Sequence, residues 1–89
     1  MDKKTVDLIV YIKLSEHRKD TLKLLSEELL FPSEIGKRLK MSPANISRTL
    51  KGLEEKGLVK CLNPERKVGR LYQTTELGNK ILNNIKKKK

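Results

Sequence analysis

Within residues 41–59, MSPANISRTLKGLEEKGLV, one helix is bounded from both ends. Ser42 can cap its start, and Pro43 suits the first helical position, where its missing N–H costs nothing. Gly57 stands just past Lys56, where a left-handed cap is open to glycine at little cost. The segment before it is constrained too. Ser33 starts a short helix in FPSEIGKRLK, in which Ile35 and Leu39 share a face. The chain must therefore place two helices, the first of them short, on either side of a tight turn around Met41.

The rest of the chain is read by the same signals. Val6, Ile9, Val10 and Leu14 recur at helical spacing and predict a helix over 4–14, although their β-branching leaves a strand possible. Ser15 caps a second helix, SEHRKDTLKLLSEEL, with Leu22, Leu25 and Leu29 on its apolar face. Phe31-Pro32 ends it, because the residue before proline is pushed out of helical angles. After Gly57, LVKCL (58–62) alternates loosely as a strand, residues 63–69 are rich in turn formers, and Arg70 to Thr74 return as a second strand. Thr75 caps a last helix, TELGNKILNNIKK, with Leu77, Ile81, Leu82 and Ile85 on one face. The fold class is mainly α with a small β-hairpin, in the order α-α-α-α-β-β-α. Two helices joined by a short turn make a helix-turn-helix. The basic hairpin behind the second of them makes it winged.

Length allows one domain, residues 1–89, and leaves little room for an enclosed substrate cavity. No apolar run approaches the ~20 residues that span a membrane, nothing resembles a signal peptide, and the single Cys61 has no internal disulfide partner. A cytoplasmic protein without metal or cofactor is expected. Charge is distributed unevenly. Residues 1–30 hold six basic and six acidic residues, whereas residues 31–89 hold 15 basic and five acidic ones, the whole excess of +10. Four of those charges are the terminal lysines, so the body of this region keeps +6. A one-sided excess favours a polyanion, nucleic acid before anionic membrane, although lysine-rich surfaces also serve solubility. The tail reads as a non-specific electrostatic element that would add to the salt dependence of binding.

Advancing about 100° per residue from Ile46 places Leu50 and Leu53 within about 40° of it, a tight apolar stripe. Opposite lie Ala44, Arg48 and Lys51 at about 160°, 200° and 140°, with Asn45 and Ser47 on the shoulders. An ordinary amphipathic helix would leave such a face solvated. Here a short helix precedes it, the face is small and basic, and a basic hairpin follows. Together these point to a recognition helix over 43–56 in the major groove of double-stranded DNA. Ala44 and Ser47 let the backbone come close, Asn45 can pair with adenine, Arg48 can bond guanine or hold a phosphate, and Lys51 suits a phosphate. The turn over 63–70 adds Arg66, Lys67 and Arg70, suited to the backbone or minor groove.

These features resemble a winged helix-turn-helix transcriptional regulator of the MarR/ArsR-like kind found in archaea and bacteria. The resemblance is carried by PSEIGKRLKMSPANISRTLKGLEEKGLV, NPERKVGR and LYQTTELGNKIL, and spans roughly residues 17–85. It implies that Ser42, Ala44, Asn45, Ser47 and Arg48 face DNA with Lys51 beside them. It also implies that Gly36 is small so that the two helices can approach. Lys40 departs from the pattern, standing at a turn where glycine is common. Gly78, early in the last helix, costs about 1 kcal/mol relative to alanine, which close backbone packing would explain.

His17 and Cys61 sit on different elements without a third partner, and no phosphate-binding glycine loop or paired carboxylate is present, so no enzyme is expected. Val6, Ile9, Val10 and Leu14, together with Ile81, Leu82 and Ile85, could form a two-fold interface between the terminal helices (1–14 and 75–87). The alternative is that these helices cap the monomer's own core. A homodimer would set two recognition helices about 34 Å apart on a palindromic site. Two other functions remain on this reading: a winged helix that binds protein, and an architectural protein that coats DNA without sequence preference. No small-molecule effector is legible.

Overall fold

A computed structural model describes residues 2–87. In chain order the elements are α1 (Lys3–Lys13), α2 (Glu16–Glu27), α3 (Pro32–Leu39), α4 (Pro43–Glu55), β1 (Val59–Cys61), β2 (Tyr72–Thr74) and α5 (Glu76–Lys87). The element types and their order agree with the reading of the sequence. The last two lysines of the tail lie outside the described residues.

Local chemistry explains most of the boundaries. The Asp2 carboxylate accepts from the Thr5 N–H at 3.1 Å and caps α1, and Ser15 Oγ accepts from Arg18 N–H at 3.3 Å to cap α2. Ser42 Oγ takes the Asn45 N–H at 3.2 Å with Pro43 at the first helical position. Thr75 Oγ1 accepts from Gly78 N–H at 3.0 Å and donates to Gly57 O at 2.7 Å, so one hydroxyl caps α5 and ties it to the end of α4.

Two boundaries differ from expectation. Helix α2 stops at Glu27, before Phe31-Pro32, because Leu30 leaves the helix to bridge Tyr72, whose N–H reaches Leu30 O at 3.2 Å. Leu29 is consequently exposed instead of lying on the buried face of α2. Helix α3 is capped not by Ser33 but at Phe31, where the Glu34 carboxylate accepts the Phe31 N–H at 2.9 Å.

The core lies where the five helices converge under the hairpin. Ile12, Leu22, Ile35, Leu53, Leu58 and Ile81 are fully enclosed there. Helix α4 contributes Ile46, Leu50 and Leu53, all buried as the wheel predicts. Enclosing each of these side chains stabilises the fold by about 1.5–3 kcal/mol before entropy is counted. Helix α1 buries Thr5, Leu8, Ile9 and Ile12, which turns Val6, Val10 and Leu14 outward. Of the residues assigned from sequence to a two-fold interface, Ile9, Ile81 and Leu82 are buried in this chain's own core and Ile85 packs partly against it.

Strands β1 and β2 pair antiparallel in the register Val59–Thr74, Lys60–Gln73 and Cys61–Tyr72. Glycines mark the closest approaches. A Cβ at Gly36 would stand 3.1 Å from Met41 O and 3.6 Å from Ile46 Cγ1, so α3 and α4 meet through it. A Cβ at Gly78 would overlap Leu58 O and lie 2.6 Å from Thr74 Cγ2, which supplies the close packing expected of that residue. Lys40 takes the left-handed conformation itself, with φ 56° and ψ 46°, and so makes the turn without the usual glycine.

Candidate nucleic-acid interface

Because the apolar stripe of α4 is buried, its opposite face must point outward. Ser42, Ala44, Ser47, Arg48 and Lys51 are all exposed, and Asn45 is half-buried on the shoulder. The Asn45 Oδ1 accepts from Arg48 Nη2. That bond occupies one of the two lone pairs of the Asn45 amide oxygen and steadies Arg48 along the helix surface.

A groove runs between α3, α4 and the hairpin turn. It brings Ser47, Arg48 and Lys51 of α4 together with Lys67 and Arg70 of the wing. Met41, Ile46, Leu50 and Tyr72 form its floor. Burial pushes the Tyr72 phenol above its ordinary value, with Arg70 opposing the shift, so the floor carries no phenolate at neutral pH. Lys37 and Ser33 of α3 and Glu54 of α4 also border the groove, and the sequence reading did not single them out. Lys37 was within reach of the same wheel, since it stands about 200° from Ile35.

The wing is organised by its own side chains. Asn63 Oδ1 accepts from Leu71 N–H at 2.9 Å, and Asn63 Nδ2 donates to Gly69 O at 3.0 Å. Arg70 donates through Nε to Arg66 O at 2.8 Å and through Nη2 to Pro64 O at 2.9 Å. Arg66 Nε reaches Val68 O at 3.1 Å and does not line the groove. Arg66 and Arg70 therefore brace the turn with some of their donors, while Lys67 stands exposed at the groove edge. Arg38, although basic and on α3, is engaged by both carboxylate oxygens of Glu28. His17 and Cys61 stay apart, on α2 and β1.

Residues 6–88 match the family described as the HVO_A0261 N-terminal domain. The chain belongs to that family. No curated protein matches the sequence. Among solved structures, the HVO_A0261-type domain is similar to wild-type ZitR of Lactococcus lactis in complex with DNA, at 27% identity and a TM-score of 0.70, covering 81% of this chain and 50% of that one. A MarR family transcription regulator is similar at 25% identity and a TM-score of 0.75, over 89% of this chain and 54% of its own. The adhesin competence repressor AdcR of Streptococcus pyogenes, at 22% identity and a TM-score of 0.73 over 86% of this chain and 57% of its own, shares the fold. The HVO_A0261-type domain thus has the MarR-type winged helix-turn-helix fold, and spans about half the length of the solved relatives it matches.

Proposed function

We propose that this domain binds double-stranded DNA as part of a transcriptional regulator, with α4 in the major groove and the wing on the backbone or in the minor groove. The observation that carries this reading is the groove itself: Arg48, Lys51, Lys67, Arg70 and Lys37, drawn from three elements, converge on it against Glu54. Counterion release from phosphates gives such a surface affinity for any duplex. Sequence preference would come from Ser42, Ala44, Asn45, Ser47 and Arg48 at the N-terminal end of α4. That wild-type ZitR, which is similar to this chain, is in complex with DNA supports the reading that this domain binds a duplex.

A second copy fits this function. Val6, Val10 and Leu14 stay 44%, 47% and 76% exposed along one face of α1. They lie in the segment where acids and bases cancel, so two copies can meet there without bringing their basic faces together. A two-fold dimer would then present two α4 helices to successive major grooves.

The test is duplex binding followed against salt for the wild-type protein, Arg48→Ala and Lys67→Ala, with selection from random DNA to find a preferred site. Arg48→Ala should weaken the selected site more than random duplex, and Lys67→Ala should weaken both alike. Binding abolished by competitor DNA of any sequence would favour architectural coating instead. Absence of duplex binding would return the protein-binding reading.

A further inference from the structure

We propose that the corner between α1 and α2 holds a second backbone phosphate of the duplex, on the flank of α4 opposite the wing. The proposal rests on the DNA-binding reading above and extends its footprint to a site made by Arg18 and His17, with the base-reading Arg48 on its border.

The argument begins with the two flanks of α4. With Ile46 at zero, Ser47, Lys51 and Glu54 fall at about +100°, +140° and +80°, and these residues border the wing groove. Asn45 and Thr49 fall at about −100° and −60°, and they border a separate cleft with Tyr11, Ser15, His17 and Arg18. Arg48, at about 200°, lines both and stands on the crest between them. A helix with its side chains is about 10–12 Å across and the major groove is about 12 Å wide. When such a helix is seated, both of its flanks lie beside a phosphate strand. The wing cations serve one strand, and the α1–α2 corner is what this fold sets beside the other.

The corner has the chemistry to receive it. Arg18 lies over the Tyr11 ring with its Cζ 4.0 Å from the centroid, and its Nη1 donates to Tyr11 O at 2.8 Å. That bond uses one of the five guanidinium donors and fixes the plane of the group, leaving the rest for an incoming acceptor. Lys56 Nζ stands 5.2 Å from the same centroid and adds a second cation beside the ring. The Tyr11 hydroxyl is seated against Gly52 of α4, where a Cβ would overlap it, so the corner is held to α4 at a fixed distance. His17 is exposed at the cleft and can donate from its ring. Among the described residues, the cleft lining carries two guanidiniums and an imidazole and no carboxylate. Glu16, beside His17 in sequence, instead pairs with Lys19 at 3.5 Å.

The test uses the full chain and a duplex carrying its preferred site. For B-DNA each phosphate contact contributes about 0.9 to the slope of log affinity against log salt. Arg18→Gln should lower the slope by about 0.9, which is about eightfold in affinity at 0.1 M salt relative to 1 M, and equally for selected and random duplex. Because Arg18 also packs on Tyr11, the duplex is varied as well, with a neutral methylphosphonate placed at each backbone position in turn. The wild-type protein should lose affinity at one or two positions outside those protected by the wing, and Arg18→Gln should be insensitive at those same positions. A purely structural Arg18 would leave the positional pattern unchanged. A wild-type slope in Arg18→Gln, or an unaltered methylphosphonate pattern, would overturn this site while leaving groove binding intact. Wild-type protein that binds no duplex would overturn both.

Discussion

Thr21 is fully buried on α2, and its hydroxyl has no hydrogen-bond partner among the described residues. An unsatisfied buried hydroxyl costs about 1–3 kcal/mol, and valine has the same shape without it. Thr21→Val should therefore stabilise the domain by about 1 kcal/mol, read as a higher midpoint of chemical denaturation at constant m-value. Glu28 and Arg38 give a second residue-scale prediction. The hydrogen bond from Arg38 holds the Glu28 carboxyl below its usual value, and Glu28 in turn raises Arg38. A depressed carboxylate adds stability that is present above its unfolded-state pKa and is lost as pH falls through the folded value. Carboxyl NMR should show Glu28 titrating below the usual glutamate value, with Arg38→Gln raising it toward that value. Both groups are exposed, so the effect on total stability should be slight.

At the scale of elements, the contact between α5 and the end of α4 is the least forgiving. Alanine normally stabilises a helix interior by about 1 kcal/mol over glycine. At Gly78 that gain is outweighed, because the new methyl would overlap Leu58 O, and backbone cannot rotate away as a side chain can. Gly78→Ala should destabilise by about 2 kcal/mol net, within the range for overpacking, and thermal unfolding would show it directly. This packing could be anticipated from sequence, since glycine inside a strongly amphipathic helix needs a reason. So could both ends of α4, where Ser42, Pro43 and Gly57 act through local backbone chemistry. The end of α2 could not. Leu30 is drawn out by Tyr72, which lies far along the chain, and no local pattern encodes that bridge. The wing shows the same limit. Its basic composition marked Arg66, Lys67 and Arg70 alike, yet the loop folds so that Arg66 and Arg70 donate to its own carbonyls. Charge is written in the sequence, whereas the partner of a charge depends on how the loop closes.

For the whole molecule, charge divides along the chain: residues 1–30 are neutral and the remainder carries the whole basic excess. A basic surface repels its own copy, so self-association is favoured away from it, and α1 offers an apolar strip within the neutral third of the chain. Sequence periodicity drew one face from Val6, Ile9, Val10 and Leu14, but two stripes share this helix. Thr5, Leu8, Ile9 and Ile12 turn inward and leave the other three residues outside. Val10 is central in the outward strip and 47% exposed, so Val10→Lys should change monomer stability by no more than about 0.5 kcal/mol. In a dimer built on α1 the same change buries two unpaired ammonium groups facing each other, which an interface tolerates poorly. Sedimentation at micromolar concentration should give twice the 10.3 kDa chain mass for the wild type and the single chain for Val10→Lys. On a palindromic duplex the variant should then bind half-sites independently, with the steepness of its isotherm lost and its salt slope per chain retained. A wild type that sediments as a single chain, or a Val10→Lys protein that remains dimeric, would move the interface away from α1 and leave its apolar strip without this role.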